Sequence, residues 1–230
     1  MEAEDVAAIV ELAGLAPNRT VELPPNHYGV IQDKDEPMSD GLPVDAVSLR
    51  TEVKAKYRAV AVDPHGSYHF HTGHPLTLRM GYDETIVTAL PDSAVEAFAG
   101  VGNPSSLGGL EPGERVVDLW SGGGDCLIPA GQAGPQGRVV GVDTTEEMLC
   151  RSRASAAAMA PGLGVIENLP VERGRADVVI SNGVIDLCAD KRRVFSEVMR
   201  VLRPDGRLQF AEIANGKPEG ALRSIDLWTD

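Results

Sequence analysis

The stretch Arg115 to Asp143, RVVDLWSGGGDCLIPAGQAGPQGRVVGVD, sets two apolar runs on either side of a glycine-rich turn and a short helical segment, with an acid near the end of each run. Parallel strands need a crossover between them, and apolar runs without polar alternation are what a sheet covered on both faces requires. The spacing predicts a strand over 115–120, a turn at Ser121-Gly122-Gly123-Gly124, a helix over 126–133 and a second strand over 138–143. Glycine lets backbone approach a ligand closely, and a carboxylate at the tip of the second strand can accept hydrogen bonds from both hydroxyls of a ribose. Such a half-fold holds a nucleotide cofactor. A dinucleotide fingerprint needs G-x-G-x-x-G, and Gly122-Gly123-Gly124-Asp125-Cys126-Leu127 lacks the third glycine, which disfavours NAD.

The rest of the chain extends this pattern. Thr145 to Met159 reads as a helix, with Thr144 or Thr145 as N-cap and Glu146 and Glu147 in its first turn, where they favour the positive end of the dipole. A short third strand is expected at Gly164 to Glu167, a fourth at Asp177 to Asn182, a helix at Asp190 to Leu202 closed by Arg203-Pro204-Asp205-Gly206, and a fifth strand at Arg207 to Ile213. The fold class is therefore α/β, a Rossmann-like, doubly wound and mostly parallel sheet. It carries an N-terminal helical and lid extension and a shortened C-terminus. Apolar residues at helical spacing run from Glu4 to Leu15, followed by a proline-, aspartate- and glycine-rich linker over 18–43. Further helices are expected at Val47 to Tyr57, Ser93 to Phe98 and Glu219 to Trp228.

Several blocks resemble one family. DLWSGGGDC is similar to motif I of class I S-adenosylmethionine-dependent methyltransferases, and DVVISNG to their fourth strand and following loop. With GNPSSLGG, GRVVGVDTTEEML and VFSEVMRVLRPDGRL, the match from roughly Val53 to Trp228 resembles the arsenite methyltransferase-like branch. The resemblance implies S-adenosylmethionine as cofactor, with an N-terminal helix and linker over 1–50 and a methyltransferase domain over 51–230 whose lid spans about 57–104. It also assigns roles. Asp118 orders the glycine turn, Ser121, Gly122, Gly124 and Asp125 line the methionine portion, and Asp143 takes the ribose. Thr144 and Met148 lie on the adenine side, Glu167 meets the adenine amine, and Ser181, Asn182 and Gly183 stand where the methyl group emerges.

Three departures qualify what is carried over. The family's arsenic-binding cysteines fall at positions that here read Val101 and Gly183, and a soft metalloid wants sulfur ligands, so arsenic chemistry is not expected. The remaining Cys126, Cys150 and Cys188 read as small buried apolar residues, with Cys188 the candidate for a reactive thiol. Trp120 stands where the family places the first glycine of the loop. A left-handed tryptophan costs about 1–2 kcal/mol, so the turn is expected to be re-shaped with Gly122 and Gly124 in the tight conformations; the alternative is an indole filling space meant for the cofactor.

The segment Tyr68-His69-Phe70-His71-Thr72-Gly73-His74 precedes the sheet where such enzymes build a substrate lid. In an extended strand His69 and His71 share a face, but a third ligand at convincing spacing is missing, and no metal is expected. Imidazole titrates near working pH, so His71, His69 and Tyr68 are the candidate catalytic residues, with Tyr57 as another lid residue. Lys+Arg 21 against Asp+Glu 34 gives a formal net charge of -13, which repels a phosphate backbone and argues against nucleic acid or an anionic membrane as partner. Unpaired cysteine spacing and the absence of a basic, apolar leader predict the cytoplasm. The expected function is methyl transfer to a small organic acceptor, in secondary metabolism. The alternative is a same-fold protein that binds the cofactor without turnover or uses it for other chemistry. The expected bare sheet edge points to a homodimer.

Overall fold

The computed structural model describes residues 45–68, 70–123, 127–155 and 162–213. Asp45 opens α1 (Ala46–Val62), its carboxylate accepting the Ser48 N–H at 2.7 Å. This helix runs past the expected 47–57 because Val60 and Ala61 are buried in a cluster with Met148. Residues 70–73 are coil instead of strand: Gly73 takes φ 79, and His74-Pro75 open α2 (His74–Arg79), where proline's fixed φ suits a first helical turn. Short helices α3 (Glu84–Thr88) and α4 (Asp92–Val95) follow, then a 3₁₀ turn at Pro104–Leu107.

β1 (Arg115–Leu119), α5 (Leu127–Ala133) and β2 (Arg138–Asp143) match the sequence reading closely. They are followed by α6 (Glu146–Ser155), β3 (Gly162–Leu163), β4 (Ala176–Asn182), α7 (Lys191–Val201) and β5 (Leu202–Ala211). All pairings are parallel in the order β3-β2-β1-β4-β5. Every residue of β4 is buried, as its apolar run requires. Neighbouring positions on β1 and β4 feed opposite faces: Val117 and Val179 join Phe195, Val198 and Val201 of α7, while Val116 and Val178 pack with Leu127 of α5 and Ala94 of α4. Phe195, 1% exposed, anchors the first layer, and burying such a ring stabilises the fold by about 1.5–3 kcal/mol.

Two strands differ from expectation. β3 falls at Gly162–Leu163, ahead of the predicted 164–167, because the chain turns at once: Gly164 N–H donates to Asp143 O at 3.0 Å and Val165 bridges Asn168. β5 pairs first through Leu202 opposite Ala176, then bulges through Asp205, at φ 64, and resumes at Arg207 opposite Val178. The predicted turn is thus an interruption within a strand. The helices predicted at 4–15 and 219–228, and the linker over 18–43, lie outside the described residues.

Candidate active site

The carboxyl ends of β1, β2 and β4 meet at one edge of the sheet. Trp120 leaves β1 at φ 86, its N–H donating to Val142 O at 2.7 Å. The left-handed conformation therefore falls on the tryptophan itself, and Gly122 is not among the positive-φ residues, which overturns the expected re-shaping of the turn. Gly124 and Asp125 lie outside the described residues. The strain is offset by packing: the indole sits 4.9 Å from the Tyr57 ring at 51° and contacts the cluster of Leu49, Val53 and Leu187.

Gly122 N–H donates to Asp143 Oδ2 at 3.1 Å, and Thr145 N–H to Oδ1 at 2.7 Å. The tip of β2 thus fastens the glycine turn at Gly122. A Cβ at Gly122 would lie 2.3 Å from Met148 Cβ and 2.7 Å from Asp143 Oδ2, so only glycine fits there. Met148 is the floor beneath the turn, 1% exposed. Burial pushes the Asp143 carboxyl up to about 7, against the pull of hydrogen bonds from Thr145 and Gly122. Ser121 is fully buried, and its carbonyl accepts the Ser152 hydroxyl at 2.7 Å.

Two small clefts open at this edge. The first lies under α1, between Leu49, Val53, Trp120, Thr144, Glu167 and Cys188, with a cavity volume of about 20 Å³. Trp120 Nε1 and Thr144 Oγ1 are buried there without a hydrogen-bond partner among the described residues. Glu167 stands at its rim, paired with Arg50 at 3.1 Å. The second cleft, about 10 Å³, is lined by Tyr82, Ser105, Asp118, Ser181 and Asn182.

Asn182 fastens the second cleft. Its Oδ1 accepts the N–H groups of Val101 and Gly102 at 2.9 and 3.0 Å, and its Nδ2 donates to Gly102 O at 3.0 Å and Tyr82 Oη at 3.3 Å. Gly183 takes φ 71, and a Cβ there would lie 2.8 Å from Val101 Cγ1, so the valine packs on the bare glycine. Ser181 Oγ–H donates to Glu212 Oε1 at 3.0 Å, and Glu212 also accepts the N–H groups of Val184, Ile185 and Asp186. Burial, followed by the Asp186 charge, raises its pKa. Sequence reasoning missed Glu212; an acid directly beyond an apolar strand was the available signal.

The described catalytic candidates, Tyr68 and His71, line neither cleft. His71 is exposed, His69 lies outside the described residues, and the Tyr68 hydroxyl donates to Asp63 O at 2.6 Å while its ring stacks on Phe70. Tyr57 is better placed than these, and burial, then the charges of Asp143 and Glu212, raise its pKa. Among the described residues no group of three or more His, Cys, Asp or Glu could hold a metal ion. Cys188 is buried, and that burial pushes its thiol up, away from thiolate character; Cys150 is exposed on α6, and Cys126 lies outside the described residues.

Comparison with known proteins adds the following. Residues 110–224 match the family model described as methyltransferase domain. An arsenite methyltransferase of Halobacterium salinarum is 41% identical over 146 residues, covering 61% of this chain and 37% of that protein. One from Mus musculus is 35% identical over 114 residues, covering 43% and 30%. The chain spans only 30–37% of the length of these relatives. The crystal structure of CrArsM, an arsenic(III) S-adenosylmethionine methyltransferase from Chlamydomonas reinhardtii, aligns with a TM-score of 0.48 at 30% identity, over 68% of this chain and 48% of that one.

Proposed function

The chain belongs to the methyltransferase domain family, and from that premise we propose that it transfers a methyl group from S-adenosylmethionine to a small organic acceptor. One observation carries the reading. A buried carboxylate stands at the tip of β2 against the glycine turn after β1, the position from which an acid in this class of sheet hydrogen-bonds a ribose. The donor set fits the cofactor. Asp143 is an acceptor for ribose hydroxyls, and next to it in the chain Thr144, with Trp120, lines the first cleft; the Thr144 hydroxyl and the indole N–H have no partner among the described residues. When bound, the cofactor supplies an electrophilic methyl group on a sulfonium. The chain's own part is to orient and to exclude water, and orientation alone can lower such a barrier by several kcal/mol, on the order of the effects seen for well-aligned reactants.

The acceptor follows from the neighbourhood of Gly183. Val101 and Gly183 are in apolar contact, and neither offers sulfur, which supports a carbon-based acceptor over a metalloid. Asp118, Ser181 and Asn182, read from the sequence as cofactor-side residues, line the adjoining cleft, and the proposed setting of such an acceptor is secondary metabolism. The net charge of -13 favours a small molecule over nucleic acid as partner. Among the described residues no helix is long and apolar enough to cross a membrane. The proposed setting is the cytoplasm, with the chain paired as a homodimer.

A second reading is favoured by Trp120: the same fold holding the cofactor without turnover, or using it for other chemistry. Incubation with methyl-labelled S-adenosylmethionine and a small-molecule extract separates the two. Label appearing in a new small molecule supports transfer; tight binding with no consumption supports the second.

A further inference from the structure

We propose that Trp120 is the gate of the cofactor crevice, its indole occupying the space that S-adenosylmethionine must enter, so that binding requires the ring and α1 to swing aside. The inference rests on the cofactor assignment made above and adds the residue that sets affinity. Trp120 stands at the carboxyl tip of β1 with φ 86, and that left-handed backbone fixes the direction in which its Cβ leaves the strand. The ring is held in the crevice by Tyr57 at 4.9 Å, with Leu49 and Val53 of the same helix packed on it. What remains beside it is about 20 Å³, enough for one or two waters, whereas small-molecule sites run to roughly 300–1,000 Å³. Trp120 and Thr144 line this remnant, and the indole Nε1 and Thr144 Oγ1 are both buried without a partner among the described residues. Buried polar atoms of this kind call for a partner, which a bound ligand would supply.

The polar fastening of α1 across the crevice is weak, while the C-terminal end of the helix is anchored by buried Val60 and Ala61. α1 is fastened across the crevice by Arg50 to Glu167 at 3.1 Å and by Arg58 to Glu147 at 2.7 Å. Arg50 and Arg58 are 44% and 66% exposed in their side chains, and ion pairs of this kind hold weakly. The first of them also engages Glu167, the acid that the sequence reading assigns to the adenine amine, so the strap and the cofactor compete for one carboxylate. Because only the open fraction binds, apparent affinity is reduced by the closed population.

The test is calorimetric titration of S-adenosylhomocysteine into the wild type, Trp120→Gly and Arg50→Ala. Alongside it, acrylamide quenching is measured in Trp228→Phe, which leaves Trp120 as the single tryptophan of the two in the chain. The expected result is at least tenfold tighter binding by Trp120→Gly, a several-fold gain for Arg50→Ala, and an indole that becomes more quenchable as ligand saturates. Equal or weaker binding by both variants, or quenching unchanged at saturation, overturns the gate. If wild type and variants bind with one affinity, the gate alone fails; if none of them binds, the cofactor assignment fails and takes the gate with it. Arg50→Ala leaves the strand tips intact and keeps the test decisive where Trp120→Gly does not fold.

Discussion

Asn182→Ala offers the sharpest test of how the site is assembled. This one amide joins the tip of β4 to the loop at 101–102, 80 to 81 residues away, through three hydrogen bonds, and to Tyr82 Oη through a fourth. Truncation strands the N–H groups of Val101 and Gly102 and the carbonyl of Gly102 in a region where Asn182 is 9% exposed. Each stranded group costs about 1 kcal/mol where water refills the space, and up to about 3 kcal/mol where it does not. Gly100 limits refilling, since its Cα lies so close that a Cβ there would meet Asn182 Nδ2 at 2.2 Å. The expected loss is therefore at least about 3 kcal/mol, read as a lower midpoint in urea unfolding at constant slope. Asn182→Asp refines the reasoning. An ionised carboxylate still accepts both N–H groups but presents an acceptor to Gly102 O, whereas a protonated one restores the donor. Its cost relative to wild type at the same pH should be smaller at pH 5 than at pH 8. A loss under about 1 kcal/mol for the alanine variant, together with a pH-independent cost for the aspartate variant, would show that the loop is held by something else.

Three further outcomes follow from the geometry. Gly183→Ala should destabilise the protein by about 2–3 kcal/mol, combining left-handed strain with the contact to Val101 Cγ1 at 2.8 Å; adding Val101→Ala should recover only the contact part, and full recovery in a double-mutant cycle refutes the strain argument. The melting temperature should fall between pH 5 and pH 8. Burial raises Asp143 from its ordinary 3.8 to about 7, so its contribution is complete below 3.8 and lost as pH rises through 7. Asp177, held down to about 2 mainly by hydrogen bonds from Arg115, contributes above 3.8 and is lost as pH falls towards 2. Asp143→Asn should flatten the neutral slope, and an unchanged slope excludes Asp143 as its source. Finally, an alkylating reagent at pH 7.5 should label Cys150 well before Cys188 in the folded protein, since one thiol is exposed and the other buried; equal rates measured by peptide mass spectrometry would contradict that burial.

The architecture was legible because local patterns and global demands agree along the sheet. Continuous runs such as VVIS in β4 suit only a strand covered on both faces, and glycines followed by a helix suit only a crossover at the strand tip. β3 was misplaced because two residues carry too little periodicity to fix a register, and Asp143 O with the Val165–Asn168 bridge decided it. In the histidine segment an alternation over five residues, which an extended strand would have turned to one face, is weaker than the glycine and proline that start α2.

By itself the sequence determined the parallel sheet, the order of its elements and the acid at the tip of β2, since these follow from apolar runs, turn residues and spacing along the chain. Only the tertiary structure decided that Asp143 accepts the N–H of Gly122 in the glycine turn, that Val101 covers Gly183, and that Trp120 takes the left-handed turn with its ring beneath α1. Each of these is a contact between segments far apart in the chain. Whether such groups meet depends on how helices and strand tips pack, and no local pattern encodes that.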